Sequence, residues 1–168
     1  MQDRQLAIEI NLKDLSANAW LGQVDEICED HGFFEQLGRG HFAGFLEAGN
    51  SLLVTFESVQ SIRENNVDAE PRGFAYTRQD GWSLLSLFSF KESWFRDIQV
   101  YEFFDRLVDE GFFDDFVRII FYGGGGAACY AGGAFSVVAP GARGVVLRPR
   151  ATGDADVGGG GWRAGCAR

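Results

Sequence analysis

Positive charge is scarce in this chain. Fifteen lysines and arginines stand against 24 aspartates and glutamates, a formal charge of -9. Phosphates and anionic bilayers would be repelled, so no nucleic-acid or membrane partner is expected. Long apolar runs are missing as well. None approaches the roughly 18 residues of a membrane span. The opening M-Q-D-R-Q has no apolar signal core behind it, so a cytoplasmic setting is expected. Cysteine is sparse: Cys28, Cys129 and Cys166 are odd in number and widely spaced. That is neither a disulfide framework nor a paired C-x-x-C metal site. No metal and no cofactor are expected.

What is abundant is aromatic and apolar. Hydrophobic residues make up 46% of the 168, with 16 phenylalanines and four tryptophans, so a globular core built on aromatic packing is expected. The length suits one domain. Residues 1–152 read as a single α/β domain. Residues 153–168 lose apolar periodicity and are dominated by glycine, alanine and arginine. Two readings fit that tail: a flexible segment, or GC-rich DNA translated outside its original frame, a question that extends back over residues 123–168.

The stretch that organises the chain is 117–139. It opens with V-R-I-I-F-Y, whose β-branched and aromatic content reads as a buried strand. Gly123, Gly124, Gly125 and Gly126 follow, then a small-residue helix that ends at Pro140-Gly141. A second buried strand is expected at 144–147.

Earlier, residues 16–31 carry Trp20, Val24, Ile27 and Cys28 on one helical face, with Ser16 as N-cap and Gly32 at C′. Two strand-like runs, 42–47 and 51–56, flank Ala48-Gly49-Asn50, and a Gly-Asn step there predicts a hairpin. L-L-V-T-F within the second run is continuously apolar, as in a strand buried on both faces. Pro71 fits the first turn of a short helix through Gln79. Residues 83–89 read as a strand, and 91–96 as a loop with exposed aromatics. Asp97 caps a helix from Ile98 to about Glu110, ended by Gly111. Strands alternating with helices predict a mostly parallel sheet, helices on both faces, with a leading β-hairpin.

A strand, a glycine turn and a helix can build a phosphate cradle or a nucleophile elbow, G-x-S-x-G. The run lacks the Lys-Ser/Thr of a P-loop, and the dinucleotide spacing puts Ala128 where its last glycine belongs.

The elbow fits the order better. Residues 40–150 resemble the α/β-hydrolase fold: a leading hairpin, L-L-V-T-F as third strand, S-L-L-S-L-F-S as fourth, V-R-I-I-F-Y as fifth. F-Y-G followed by small residues is similar to the elbow segment of small serine hydrolases. The resemblance implies action on a small ester or acyl substrate. It also implies a nucleophile at Gly125, which has no side chain, and an aspartate and a histidine beyond the last residues. The elbow is therefore expected to be degenerate, and this copy inactive or truncated. H-F-A-G-F-L-E-A-G, W-F-R-D and A-F-S-V-V-A-P-G-A also resemble uncharacterised alphaproteobacterial proteins sometimes labelled phosphoadenosine phosphosulfate reductase. That label implies a Ser-Gly-Gly-Lys-Asp phosphate loop and a reactive C-terminal cysteine. The loop is absent, and Cys166 lies in the tail.

The candidate catalytic residue is Cys129, near a helix start that would favour its thiolate, with His31 or His41 as conceivable partners. Both histidines also have structural readings, His31 at a helix C-terminus and His41 at the hairpin. Gly123 to Gly126, with the backbone N–H groups of Glu57 and Ser58 after the third strand, are the candidate oxyanion-hole or anion-binding groups. Trp94 and Phe95 are candidate pocket-lining residues. Asp114 and Asp115 precede the fifth strand, the wrong end for a ligand. A non-catalytic module binding a small molecule at residues 123–129 is the alternative. The outer edge of the last strand would be unpaired and open to self-association.

Overall fold

The computed structural model describes residues 6–91, 93–124 and 126–146. Helix α1 (Ala17–His31) begins where Ser16 accepts a hydrogen bond from the Ala19 N–H at 3.2 Å. Its apolar stripe buries Trp20, Val24 and Cys28. The Trp20 indole donates to the Ala69 carbonyl at 2.7 Å, so its polar edge is satisfied within the core.

Strands β1 (Gly32–Leu37), β2 (His41–Leu46), β3 (Ser51–Ser58), β4 (Ser83–Ser89), β5 (Arg118–Gly123) and β6 (Arg143–Val146) form one sheet in the order β1-β2-β4-β3-β5-β6. β1 and β2 are antiparallel, as are β2 and β4; the other neighbours are parallel. The fold is thus α/β, with a mostly parallel sheet and a leading hairpin.

The hairpin is not the one the Gly-Asn step predicts. β2 pairs with β1 around Gly38, whose φ of +68° suits glycine, while β4 lies between β2 and β3. Residues 48–50 instead pass the start of β4, where Ser83 Oγ accepts from the Ala48 N–H and donates to the Gly49 carbonyl. Gly32 is also not a left-handed cap. Its φ of 178° is extended, and a Cβ there would meet the Phe45 carbonyl oxygen at 2.2 Å.

The strands bury opposite faces under different helices. Leu53, Leu84 and Phe88 face α1, α2 (Val59–Asn65) and α3 (Phe74–Asp80). Leu52, Val54, Phe56, Leu85 and Leu87 face α4 (Ile98–Asp109) and α5 (Gly126–Phe135). This alternation is the period of two that a strand imposes. α3 starts at Phe74, three residues after Pro71, which instead forms the preceding turn. α4 ends at a left-handed Gly111, φ +72°. On the α4–α5 face Phe104 stacks on Phe135 with centroids 4.4 Å apart, and Phe56 and Phe121 surround them. The expected aromatic core is there. The tail and Cys166 lie outside the described residues.

Candidate functional site

Three parallel strands deliver their carboxyl ends to one place. β3 sits between β4 and β5, and its chain leaves toward α2 on one face. β4 and β5 leave toward α4 and α5 on the other. Chains departing in opposite directions from neighbouring strands open a crevice at their carboxyl ends, where open α/β sheets hold ligands. A cavity of about 420 Å³ occupies that position here. Glu57, Ser58, Ser89, Ser93, Phe95, Tyr122 and Gly124 are among its walls. A second hollow, about 600 Å³, lies on the α3 side against Trp82, Ile120 and Val145 and is mainly apolar.

The β3 end supplies a carboxyl. Glu57 accepts from the Arg72 backbone N–H at 3.0 Å and from the Asn66 amide at 3.2 Å, and the Arg72 guanidinium is 4.0 Å away. Burial raises its pKa above the ordinary value; those donors and the arginine charge work in the opposite direction. Arg72 also lies over the Tyr122 ring at 5.9 Å. Ser58 caps α2 by accepting from the Ser61 N–H at 3.1 Å.

Across the sheet ends runs a row of polar side chains. Ser58 of β3 is in register with Ser89 of β4, and Ser89 with His41 of β2. Strand alternation places all three on the α4–α5 face, with neighbours about 5 Å apart. Ser89 is buried, and among the described residues its hydroxyl has no hydrogen-bond partner. Beside it, His41 Nε2 is 2.8 Å from Ser93 Oγ, in the loop that leaves β4. On the other side of the ring, His41 Nδ1 is 2.9 Å from Asp97 Oδ2. The second contact lacks the alignment of a hydrogen bond. Burial lowers the His41 pKa, and the nearby Asp97 charge opposes that shift.

No protein family matches the chain, and neither does any curated protein or solved structure.

The sequence candidates divide between this cavity and its surroundings. Glu57, Ser58 and Gly124 line it. Gly123 ends β5 against α5, where a Cβ would meet Cys129 Cα at 2.5 Å, and Gly126 opens α5 with φ +55°. Gly125 lies outside the described residues. Cys129 is buried beneath the turn, and its thiol donates to the Gly123 carbonyl at 3.1 Å. His41 is engaged with Ser93 and Asp97, and His31 closes α1. Phe95 lines the cavity but is not exposed: it packs on Phe56 and on the His41 ring. Trp94 meets Tyr130 of α5 edge-on at 5.5 Å.

Sequence reasoning passed over Ser89, Ser93 and Arg72, and gave Asp97 only a capping role. The Asp97 carbonyl does accept from the Val100 and Tyr101 N–H groups of α4, but its carboxylate turns to His41 instead of capping. Serines at a strand's carboxyl end were the available signal. Among the described residues, no group of His, Cys, Asp or Glu could hold a metal ion, and no helix is long and apolar enough to cross a membrane.

Proposed function

We propose that this chain is an α/β-hydrolase-like protein whose crevice at the ends of β3, β4 and β5 holds a small ester or acyl molecule. The observation that carries the reading is the divergence of β3 and β5 around a polar cavity. In this architecture the β3–α2 loop supplies one oxyanion donor and the β5–α5 turn supplies the nucleophile and the other. Ser58 and Gly124 occupy those two walls. The turn carries glycine at 125 where the elbow carries serine, so the elbow binds and does not attack.

Butyrate and methyl butyrate are suitable probes. Amide shifts of the isotope-labelled protein are expected at Ser58, Arg72 and Gly124. Ser61, an exposed residue of α2 on the cavity wall, gives a blocking variant. Ser61→Trp is expected to abolish the shifts while leaving the fold intact. Equal binding by that variant, or shifts confined to the apolar hollow, would refute the reading.

Self-association belongs to the same proposal. β6 pairs with β5 and, among the described residues, forms one edge of the sheet, with Val145 exposed. Sedimentation velocity is expected to show mass rising with concentration, and an unchanging monomer would remove this part.

A further inference from the structure

The loop after β4 carries a constellation that no elbow accounts for. Ser93 Oγ stands 2.8 Å from His41 Nε2 and lines the cavity. Asp97 Oδ2 stands 2.9 Å from the other ring nitrogen. Serine, histidine and aspartate in that order of contact form a nucleophile, a base and an orienting acid, whatever their order along the chain. We propose that Ser93, His41 and Asp97 form a hydrolytic triad for carboxylic esters bound in the crevice, with the Ser89 hydroxyl donating to the ester carbonyl oxygen. The proposal rests on the crevice reading above and adds the reaction.

Three further observations converge on it. First, Ser89 is buried at the cavity wall, and its hydroxyl has no partner among the described residues. Leaving such a buried group unpaired is costly, and a substrate carbonyl oxygen would satisfy it. Second, Phe95 adopts φ +54°, a left-handed conformation that is rare for an aromatic residue. Backbone strain of this kind collects at functional sites. In the same turn the Phe95 N–H donates to Ser93 Oγ at 3.0 Å, holding the hydroxyl beside His41. Third, the Asp97 side chain is 61% exposed, so it is free to rotate into line with Nδ1. Catalytic hydrogen bonds are often long or misaligned without substrate.

The reaction closes on these residues. Ser93 Oγ attacks the ester carbonyl carbon while its proton passes to His41 Nε2, and the carbonyl electrons move to the oxygen held by Ser89. Collapse breaks the bond to the alkoxy oxygen, which leaves with the proton from Nε2 as an alcohol. Water then attacks the acyl–Ser93 carbon and gives a proton to Nε2. The second collapse breaks the bond to Oγ, Oγ recovers that proton, and the carboxylic acid departs. The Asp97 carboxylate holds the protonated ring.

A biotinylated alkyl fluorophosphonate, with peptide mapping by mass spectrometry, tests this on the full chain. The adduct is expected on Ser93 and absent from Ser93→Ala. Because His41 is buried, Asp97→Asn is the safer second variant, with folding checked by circular dichroism. It should slow labelling by about 10²-fold or more, the usual scale of general-base assistance. Butyrate binding is measured in parallel. No adduct on Ser93 with binding intact overturns the triad and leaves the crevice reading standing. Neither adduct nor binding overturns both. An adduct on Ser58, Ser61 or Ser89, or unslowed labelling of Asp97→Asn, also overturns the triad.

Discussion

Replacing Gly123 by alanine puts a methyl carbon 2.5 Å from both the Ala128 carbonyl oxygen and Cys129 Cα, and 2.9 Å from the Ala128 carbonyl carbon. Comfortable contact between carbon atoms begins near 3.5 Å, so the first turn of α5 has to retreat by about 1 Å. All three neighbours are backbone atoms, and no rotamer change relieves the clash. Overpacking of this kind costs about 1–3 kcal/mol. Alanine restores about 0.4–1 kcal/mol by restricting the unfolded chain. The net loss is then about 0–2.6 kcal/mol, a fall in Tm of up to about 10 °C for a chain of this size. Gly22 is the control. It lies inside α1, exposed, with nothing within 4 Å of an added Cβ. Gly22→Ala should gain about 1 kcal/mol of helix propensity and raise Tm by about 2–4 °C. Thermal unfolding followed by circular dichroism reads both. The same sign of shift in the two variants would refute the close approach of β5 to α5, and with it the shape of the turn at the crevice.

Two further results are expected. Burial holds the His41 imidazole below its ordinary 6.5, against the pull of Asp97, so the folded chain binds this proton less tightly than the unfolded one. Its contribution to stability is complete above about pH 6.5 and declines as pH falls from there toward the lower folded value. Urea unfolding of wild type and His41→Gln between pH 7.5 and 5.5 should show the steeper loss in wild type; identical slopes would contradict the buried, neutral ring. Cys28 is buried, and its thiol pKa is pushed up to about 12 by burial first and by Asp25 and Glu29 second. At pH 8 its thiolate fraction is about 10³-fold below that of an ordinary thiol. Iodoacetamide should leave Cys28 unmodified until global unfolding, and early alkylation mapped to it would be inconsistent with this packing.

What the sequence determined by itself was local. Ser16 and Gly111 mark helix ends because a cap is a contract between residues a few positions apart. The runs at 51–56 and 83–89 declare buried strands because two covered faces leave no room for polar alternation; the run at 117–122 also forms a strand, but Val117 and Arg118 are exposed and burial alternates along it. The α/β class follows from the alternation of such strands with helices. Sheet order is different. The period of two says that a strand has two faces, not which strand lies beside it, so β4 could enter between β2 and β3 unannounced.

The site depended on that insertion. It sets His41 opposite Ser89 and brings His41 to Ser93, 52 positions away along the chain. A loop aromatic reads as exposed until the fold lays Phe95 against Phe56 and the His41 ring. An aspartate before a helix reads as a cap until a buried imidazole offers it a closer partner. Propensity and spacing carry no record of such meetings, because burial and proximity between distant segments exist only once the sheet has assembled.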